Sequence, residues 1–228
     1  MTTTTILITG TNRGIGLEMA RQALAKGWTV YGSAREVVSD PDAHICGHPK
    51  FHDLQFDVTD HAAVRSAAAS ISEPIDILIN NAGIIGPQRQ STLDMDFDGF
   101  AKAFAVNTLA PLAVSQAFLP HLKRSSSPRI LTVSSWMGSL SHAKSDRIAY
   151  RASKAAVNKV MQGLATDLEP MGVAVAMLHP GWVRTDMGGA AADIDPATSA
   201  AGILKIAEGL TLEGTGQFYN WDGSALDF

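Results

Sequence analysis

The chain has 228 residues, 46% of them hydrophobic and 18% charged, with a net charge of −4. That length buries a sizeable core and suits one domain over 1–228, and the composition excludes a disordered chain. A mildly acidic balance without a dense Lys/Arg run argues against a nucleic-acid or anionic-membrane surface.

Cys46, the single cysteine, cannot form an internal disulfide, and its neighbours Ile45 and Gly47 carry no redox or metal motif. The first residues have neither a basic region nor a cleavable apolar stretch, and no window offers 18 apolar residues free of charge. The expected location is therefore the cytoplasm, with no membrane span.

In chain order, residues 5–9 read as a buried strand, followed by a glycine turn and a helix over 17–24 that Gly27 ends. A second strand covers 28–34, and 36–50 carry Pro, Asp, His and Gly without a period, as a loop does. A third strand covers 51–57, and an Ala-rich helix over 59–72 opens on Thr59 as its N-cap. A fourth strand over 75–80 precedes a long helix over 97–123, kinked at Pro111. Beyond the connector 125–128 come a fifth strand (129–134), a helix (150–169), a sixth strand (173–178), a helix (197–210) and a last strand (216–221). Alternating strands and helices with near-continuous apolar strands predict an α/β fold, a parallel sheet covered by helices on both faces. Such sheets bind ligands at the carboxyl ends of their strands.

The first such end carries Thr9-Gly10-Thr11-Asn12-Arg13-Gly14-Ile15-Gly16. Glycines let the backbone turn tightly and approach a pyrophosphate, and the following helix N-terminus offers free N–H groups and a positive dipole end. The spacing is G-x-x-x-G-x-G, not the commoner G-x-G-x-x-G. The second strand ends at Arg35 where a carboxylate would select NAD, so Arg35 and Arg13 favour NADP(H) over NAD(H), with Glu36 beside them as a counterweight.

Tyr150 and Lys154 share one helix face at i and i+4. A phenol is a poor base near neutrality, and a neighbouring cation favours its ionised form, so the pair can exchange a proton with a carbonyl or an alcohol. Ser134-Ser135 ends the fifth strand just upstream, Asn80-Asn81-Ala82-Gly83 ends the fourth, and Asn107 stands mid-helix, where asparagine commonly has a hydrogen-bonding task.

These segments together resemble the short-chain dehydrogenase/reductase family, from Thr9 nearly to the C-terminus. The carriers are Thr9-Gly10-x-x-x-Gly14-Ile15-Gly16, Asp57-Val58, Asn80-Asn81-Ala82-Gly83, Asn107, Ser135, Tyr150-x-x-x-Lys154 and Pro180-Gly181, in the family's order. Asn12-Arg13-Gly14, the run from His179 to Gly189 and the ending Phe218 to Gly223 are similar to the compact carbonyl-reductase-like branch that includes the sniffer and C-factor proteins. The resemblance implies a single-domain, Rossmann-type, doubly wound sheet of about seven strands in the order 3-2-1-4-5-6-7. It implies Tyr150 as general acid or base, Lys154 on the nicotinamide ribose and tuning the tyrosine, Ser135 on the substrate carbonyl, and Asn107 supporting a water that links Lys154 to solvent. Gly10, Asn12, Arg13, Gly14, Ile15, Gly16, Arg35, Asp57, Val58, Asn81, Ala82, Gly83, Pro180, Gly181, Val183 and Thr185 would hold the cofactor with Tyr150 and Lys154.

Two departures stand out. The interval from Ser135 to Tyr150 is slightly long, leaving Ser134 and Ser139 as alternatives for the functional hydroxyl. The segment after Thr185 is short and rich in Gly and Ala, so the substrate loop near 184–197 is expected to leave the cleft open or mobile. Trp136, Met137, Leu140, His142, Trp182 and Met187 are expected to flank a small-molecule carbonyl or alcohol substrate. His44, His48, His52 and Asp53 lack a ligand spacing, so no metal is expected. The helices at 97–123 and 150–169 suggest a homodimer or homotetramer by resemblance. A non-enzymatic regulatory protein built on a dinucleotide-binding fold is the competing reading.

Overall fold

The computed structural model describes residues 3–35, 45 and 47–228. Glu36, His44, Cys46 and most of the expected 36–50 loop lie outside the described residues. Seven parallel strands form one sheet, β1 (Thr5–Thr9), β2 (Thr29–Ala34), β3 (Phe51–Gln55), β4 (Ile77–Asn80), β7 (Arg129–Val133), β8 (Ala174–His179) and β9 (Phe218–Asn220). They lie in the order β3-β2-β1-β4-β7-β8-β9. This is the expected 3-2-1-4-5-6-7 once a small antiparallel hairpin, β5 (Gln90–Ser91) and β6 (Asp94–Met95), is passed over.

Strand alternation sorts the apolar residues into two cores. Ile6 and Ile8, Ile77 and Ile79, and Ala174, Ala176 and Leu178 face one layer, built of α1 (Gly14–Ala25) and α6 (Pro196–Gly209). Leu7, Leu78, Val175 and Met177 face the other, built of α2 (His61–Ala69), α4 (Ala110–Leu122) and α5 (Ile148–Leu168). Because both faces are buried, β1, β4 and β8 read as near-continuous apolar runs, while the edge strand β3 is largely exposed.

Gly27 stands just past α1 at φ 79°, with the N–H of Gly27 bonded to Leu24 O and that of Trp28 to Ala23 O. This paired closure favours glycine because its left-handed backbone strains other residues. The N-cap of α2 is Asp60, not Thr59: its carboxylate accepts from the N–H groups of Ala62 and Ala63, both at 3.0 Å. Thr59 instead donates its N–H and hydroxyl to Asp57 Oδ1.

The expected 97–123 helix is divided. It comprises α3 (Phe97–Phe104), a π-helical turn over Ala105–Leu109, and α4, with Pro111 just after the π-helical turn at the start of α4. The stretch Phe97–Leu122 contains an 18-residue window of mean hydropathy 1.3 and has the length to cross a membrane. It is a core helix: Val114, Phe118 and Leu122 are buried on the sheet.

Candidate active site

The strand ends and the turns that follow them gather the chemistry at one edge of the sheet. After β1, Gly10 and Gly14 take φ of 75° and 58°, in the region glycine occupies without strain. The turn is held from below. Gly10 and Thr11 donate their N–H groups to Ser33 O at 2.7 and 3.1 Å, and Asn81 Nδ2 donates to the carbonyls of Thr9 and Gly10 at 2.8 and 3.2 Å. The Thr9 hydroxyl accepts the N–H groups of Asn81 and Ala82. Thus the side chain of Asn81 is committed to the glycine turn. A Cβ at Gly16 would lie 2.0 Å from Gly10 O, so only glycine fits there. The N-terminus of α1 carries no side-chain cap and no acidic residue in its first turn.

Tyr150 and Lys154 lie in the first two turns of α5, both buried. Burial pushes the Tyr150 phenol above its ordinary value, against opposing pulls from its hydrogen bond with Ser135 and from the charge of Arg147. Burial also pulls the Lys154 ammonium down to about 8. Lys154 Nζ donates to Val133 O at 2.8 Å and stands 5.7 Å from the Tyr150 ring centroid.

Of the three candidate serines, Ser135 is the one close enough to act on the phenol, and its Oγ also accepts the N–H of Met137 at 3.1 Å. Ser134 is directed to Lys154 O at 3.4 Å, and Ser139 pairs with Ser141 at 2.8 Å. Asn107 lies in the π-helical turn and acts as a brace. Its Oδ1 accepts from the N–H of Ile84, and its Nδ2 donates to Ile84 O and Ser153 Oγ at 2.8 and 2.9 Å. Ser153 Oγ in turn donates to Tyr150 O. A Cβ on Gly83 would stand 3.3 Å from Asn107 Oδ1 and 3.7 Å from Lys154 Nζ, so this glycine lies against both.

A phenol, a hydroxyl and a buried ammonium beside a glycine turn at the sheet's edge match a known pattern. The family model described as short chain dehydrogenase matches residues 4–194. The chain belongs to this family. Among short-chain dehydrogenases and their relatives, C-signal of Myxococcus xanthus is 41% identical over 72% of this chain and 99% of its own. The NADPH-bound carbonyl reductase from chicken fatty liver has a TM-score of 0.92 at 31% identity, and the carbonyl reductase Sniffer of D. melanogaster 0.93 at 30%, each covering 100% of both chains.

Other expected residues of this short-chain dehydrogenase fall as follows. Arg13 is ion-paired to Asp186 at 2.6 Å, both exposed, so the glycine turn is tied to the loop after β8. Arg35 lies at the tip of β2, near enough to Asp57 to stabilise its carboxylate. Burial raises the Asp57 pKa, but the Thr59 hydrogen bonds, Arg35 and Lys102 outweigh it and hold the carboxyl below its ordinary value.

The loop near 184–197, expected to leave the cleft open or mobile, is cross-braced. Arg184 N–H donates to Ile194 O, Ile194 N–H to Trp182 O, and Arg184 Nη1 to the carbonyls of Ala192 and Asp193. Thr185 Oγ1 accepts from Gly188 N–H, and Trp182 Nε1 donates to Gly188 O at 2.8 Å. Glycine makes this curl possible: a Cβ at Gly188 would collide with Val183 O. Trp136 and His142 come together with ring centroids 3.9 Å apart, while Trp182 and Met187 belong to the braced loop, each about half exposed. His52 stacks on Tyr31, and His48 Nδ1 accepts from Lys50 N–H.

Sequence reasoning missed Gln90. It is buried, with Oε1 accepting from the N–H of Tyr150 at 3.1 Å and Nε2 donating to the carbonyls of Ile85 and Pro87. The segment 85–96 carries no periodicity, and nothing short of the tertiary fold brings it to α5. Arg147, at φ 51° before α5, was missed for the same reason.

Proposed function

We propose that the protein is an NADP(H)-dependent reductase or dehydrogenase working between a carbonyl and its alcohol, with Tyr150 as proton donor in reduction and acceptor in oxidation. The observation that carries this reading is the buried Tyr150 phenol, acted on by Ser135, on the helix that also brings the buried Lys154 within 5.7 Å of its ring. Perturbed ionisable groups held together in this way favour proton transfer over simple binding.

The residues present fit a dinucleotide. The uncapped start of α1 leaves N–H groups and a positive dipole end for a phosphate, and the glycines at Gly10 and Gly14 let the turn that leads into it adopt its left-handed backbone. Gly10, Asn12, Gly14, Ile15 and Gly16 would cradle the pyrophosphate. Arg13 and Arg35 would hold the 2′-phosphate that distinguishes NADP(H) from NAD(H). Asp57 and Val58 would contact the adenine, and Asn81, Ala82 and Gly83 would line the path between. Pro180, Gly181, Val183 and Thr185 would hold the nicotinamide end. When bound, the cofactor supplies or accepts the hydride.

The chain's own residues do the rest. Ser135 Oγ orients the substrate oxygen, and the Tyr150 hydroxyl gives it the proton. Lys154 binds the ribose hydroxyls, and its charge favours the phenolate that proton donation leaves behind. Asn107 holds Ser153 and Ile84 in place around this group and supports a water that connects Lys154 to solvent.

The test is NADPH consumption over a panel of aldehydes and ketones. Tyr150→Phe is expected to lower kcat/KM by about 10²- to 10⁴-fold while NADPH binding persists. An inactive wild type, or Tyr150→Phe equal to the wild type, overturns the proposal. The likeness to C-signal favours a second reading, a regulatory protein that uses the dinucleotide fold as a binding module. Full rescue of a deletion phenotype by Tyr150→Phe would select it.

A further inference from the structure

Next to the first turn of α5 lies a groove of about 530 Å³ that none of the residues assigned to the reaction or to the cofactor lines. It opens between residues 85–91 with Asp94 on one side and 145–147 on the other. The volume is within the range of small-molecule sites.

Four charged side chains line the groove: Arg89, Asp94, Asp146 and Arg147. Arg89 pairs with Asp94 at 2.9 Å, and Asp146 pairs with Arg151, outside the lining, at 2.8 Å. Both acids are thereby neutralised within the protein. Arg147 forms no ion pair or side-chain hydrogen bond among the described residues, although its charge also acts on the adjacent Asp146; with Arg151 holding that carboxylate from outside, the groove carries a positive charge in excess. Neutral hydrogen-bonding groups, the Ser145 hydroxyl and the Gln88 amide, lie along the same lining.

The groove is mechanically part of the catalytic helix. Gln90 lines it and accepts the N–H of Tyr150. Arg147 precedes Tyr150 by three residues, about 5 Å along a helix axis. Its charge is already felt at the phenol. A guanidinium presents paired donors that match a carboxylate, and such charge-assisted contacts are among the stronger polar interactions.

We propose that the substrate of this enzyme carries a carboxylate besides its carbonyl, and that Arg147 binds this carboxylate in the groove beside Tyr150. The inference rests on the reading that Tyr150 acts on a carbonyl. It adds the chemical class of the substrate, a carbonyl acid, and assigns Arg147 as the residue that selects it.

The test compares a homologous series of aldehydes ending in a carboxylate, each against its methyl ester. The wild type is expected to prefer the acids, and Arg147→Gln to lower the acid-to-ester ratio of kcat/KM by about tenfold. Arg147→Lys, which keeps the charge but not the paired donors, should retain only part of the preference. Arg147→Gly guards against misfolding, since glycine is at ease at φ 51°. Calorimetric binding of the acids to the NADP-loaded protein reads the same dependence without turnover. Esters preferred by the wild type, or Arg147 variants that leave both the ratio and the affinity unchanged, overturn the inference. If no aldehyde is reduced yet acid binding depends on Arg147, the proposed reaction fails and this assignment stands. Reduction without any dependence on Arg147 has the opposite meaning.

Discussion

Tyr150 and Lys154 are both pushed by burial toward their neutral forms, which gives the pair a measurable pH signature. The Lys154 ammonium titrates near 8 in the folded protein, against about 10.4 for an unperturbed lysine. Between those values the unfolded chain binds the extra proton, so stability rises with pH across that interval. The phenol, raised by burial, opposes this only above about pH 10. Urea midpoints should therefore increase from pH 8 to pH 10 in the wild type, and Lys154→Met should lose that increase. An equal rise in the variant would show that Lys154 is charged throughout. At this scale the sequence put forward Tyr150, Lys154 and Ser135, with Ser134 and Ser139 as alternatives for the hydroxyl. Neighbouring residues leave a strand in opposite directions, so the choice of Ser135 over Ser134 follows from how β7 ends and where α5 lies.

Among the elements, the strands and the long helices were legible because their apolar residues recur with the period of each structure. The shorter features were not. Thr59 and Asp60 are both good N-caps by type, and the two N–H groups that reach Asp60 decide between them. Asp60→Ala should destabilise the protein by about 1 kcal/mol, and Thr59→Ala by less, in urea unfolding. Equal effects would place the cap elsewhere. The π-helical turn at Ala105–Leu109 could not be read from propensity, since an extra residue in a helix leaves its composition unchanged. Its result is the Asn107 brace between Ile84 and Ser153. The β5–β6 hairpin has two-residue strands, too short to show an alternation, yet it begins at Gln90 and so steadies the N–H of Tyr150.

Over the whole molecule, the sheet order brings the turns after β1, β4, β7 and β8 to one edge, although they come from distant parts of the chain. The Arg13–Asp186 pair crosses from the first of these turns to the last. Both side chains are largely exposed, so the pair contributes no more than about 1 kcal/mol to folding. The functional consequence is expected to be larger. Arg13→Ala should weaken NADPH about tenfold while changing NADH little, as read by calorimetry, with the unfolding midpoint almost unmoved. Equal losses for the two nucleotides would remove Arg13 from 2′-phosphate recognition.

The alternation of apolar strands and helices determined the layered sheet, and motif spacing determined which residues stand near its carboxyl edge. Both signals are local, because a buried strand or a glycine turn needs particular residues at short intervals. Only the tertiary structure brings Ser135 close to Tyr150, sets Gln90 against its N–H, braces the 182–195 loop and lines a groove with Arg147, which has no ion pair among the described residues. Each of these depends on contacts between segments far apart in the chain, where spacing carries no information and the packing of the two sheet faces sets the geometry.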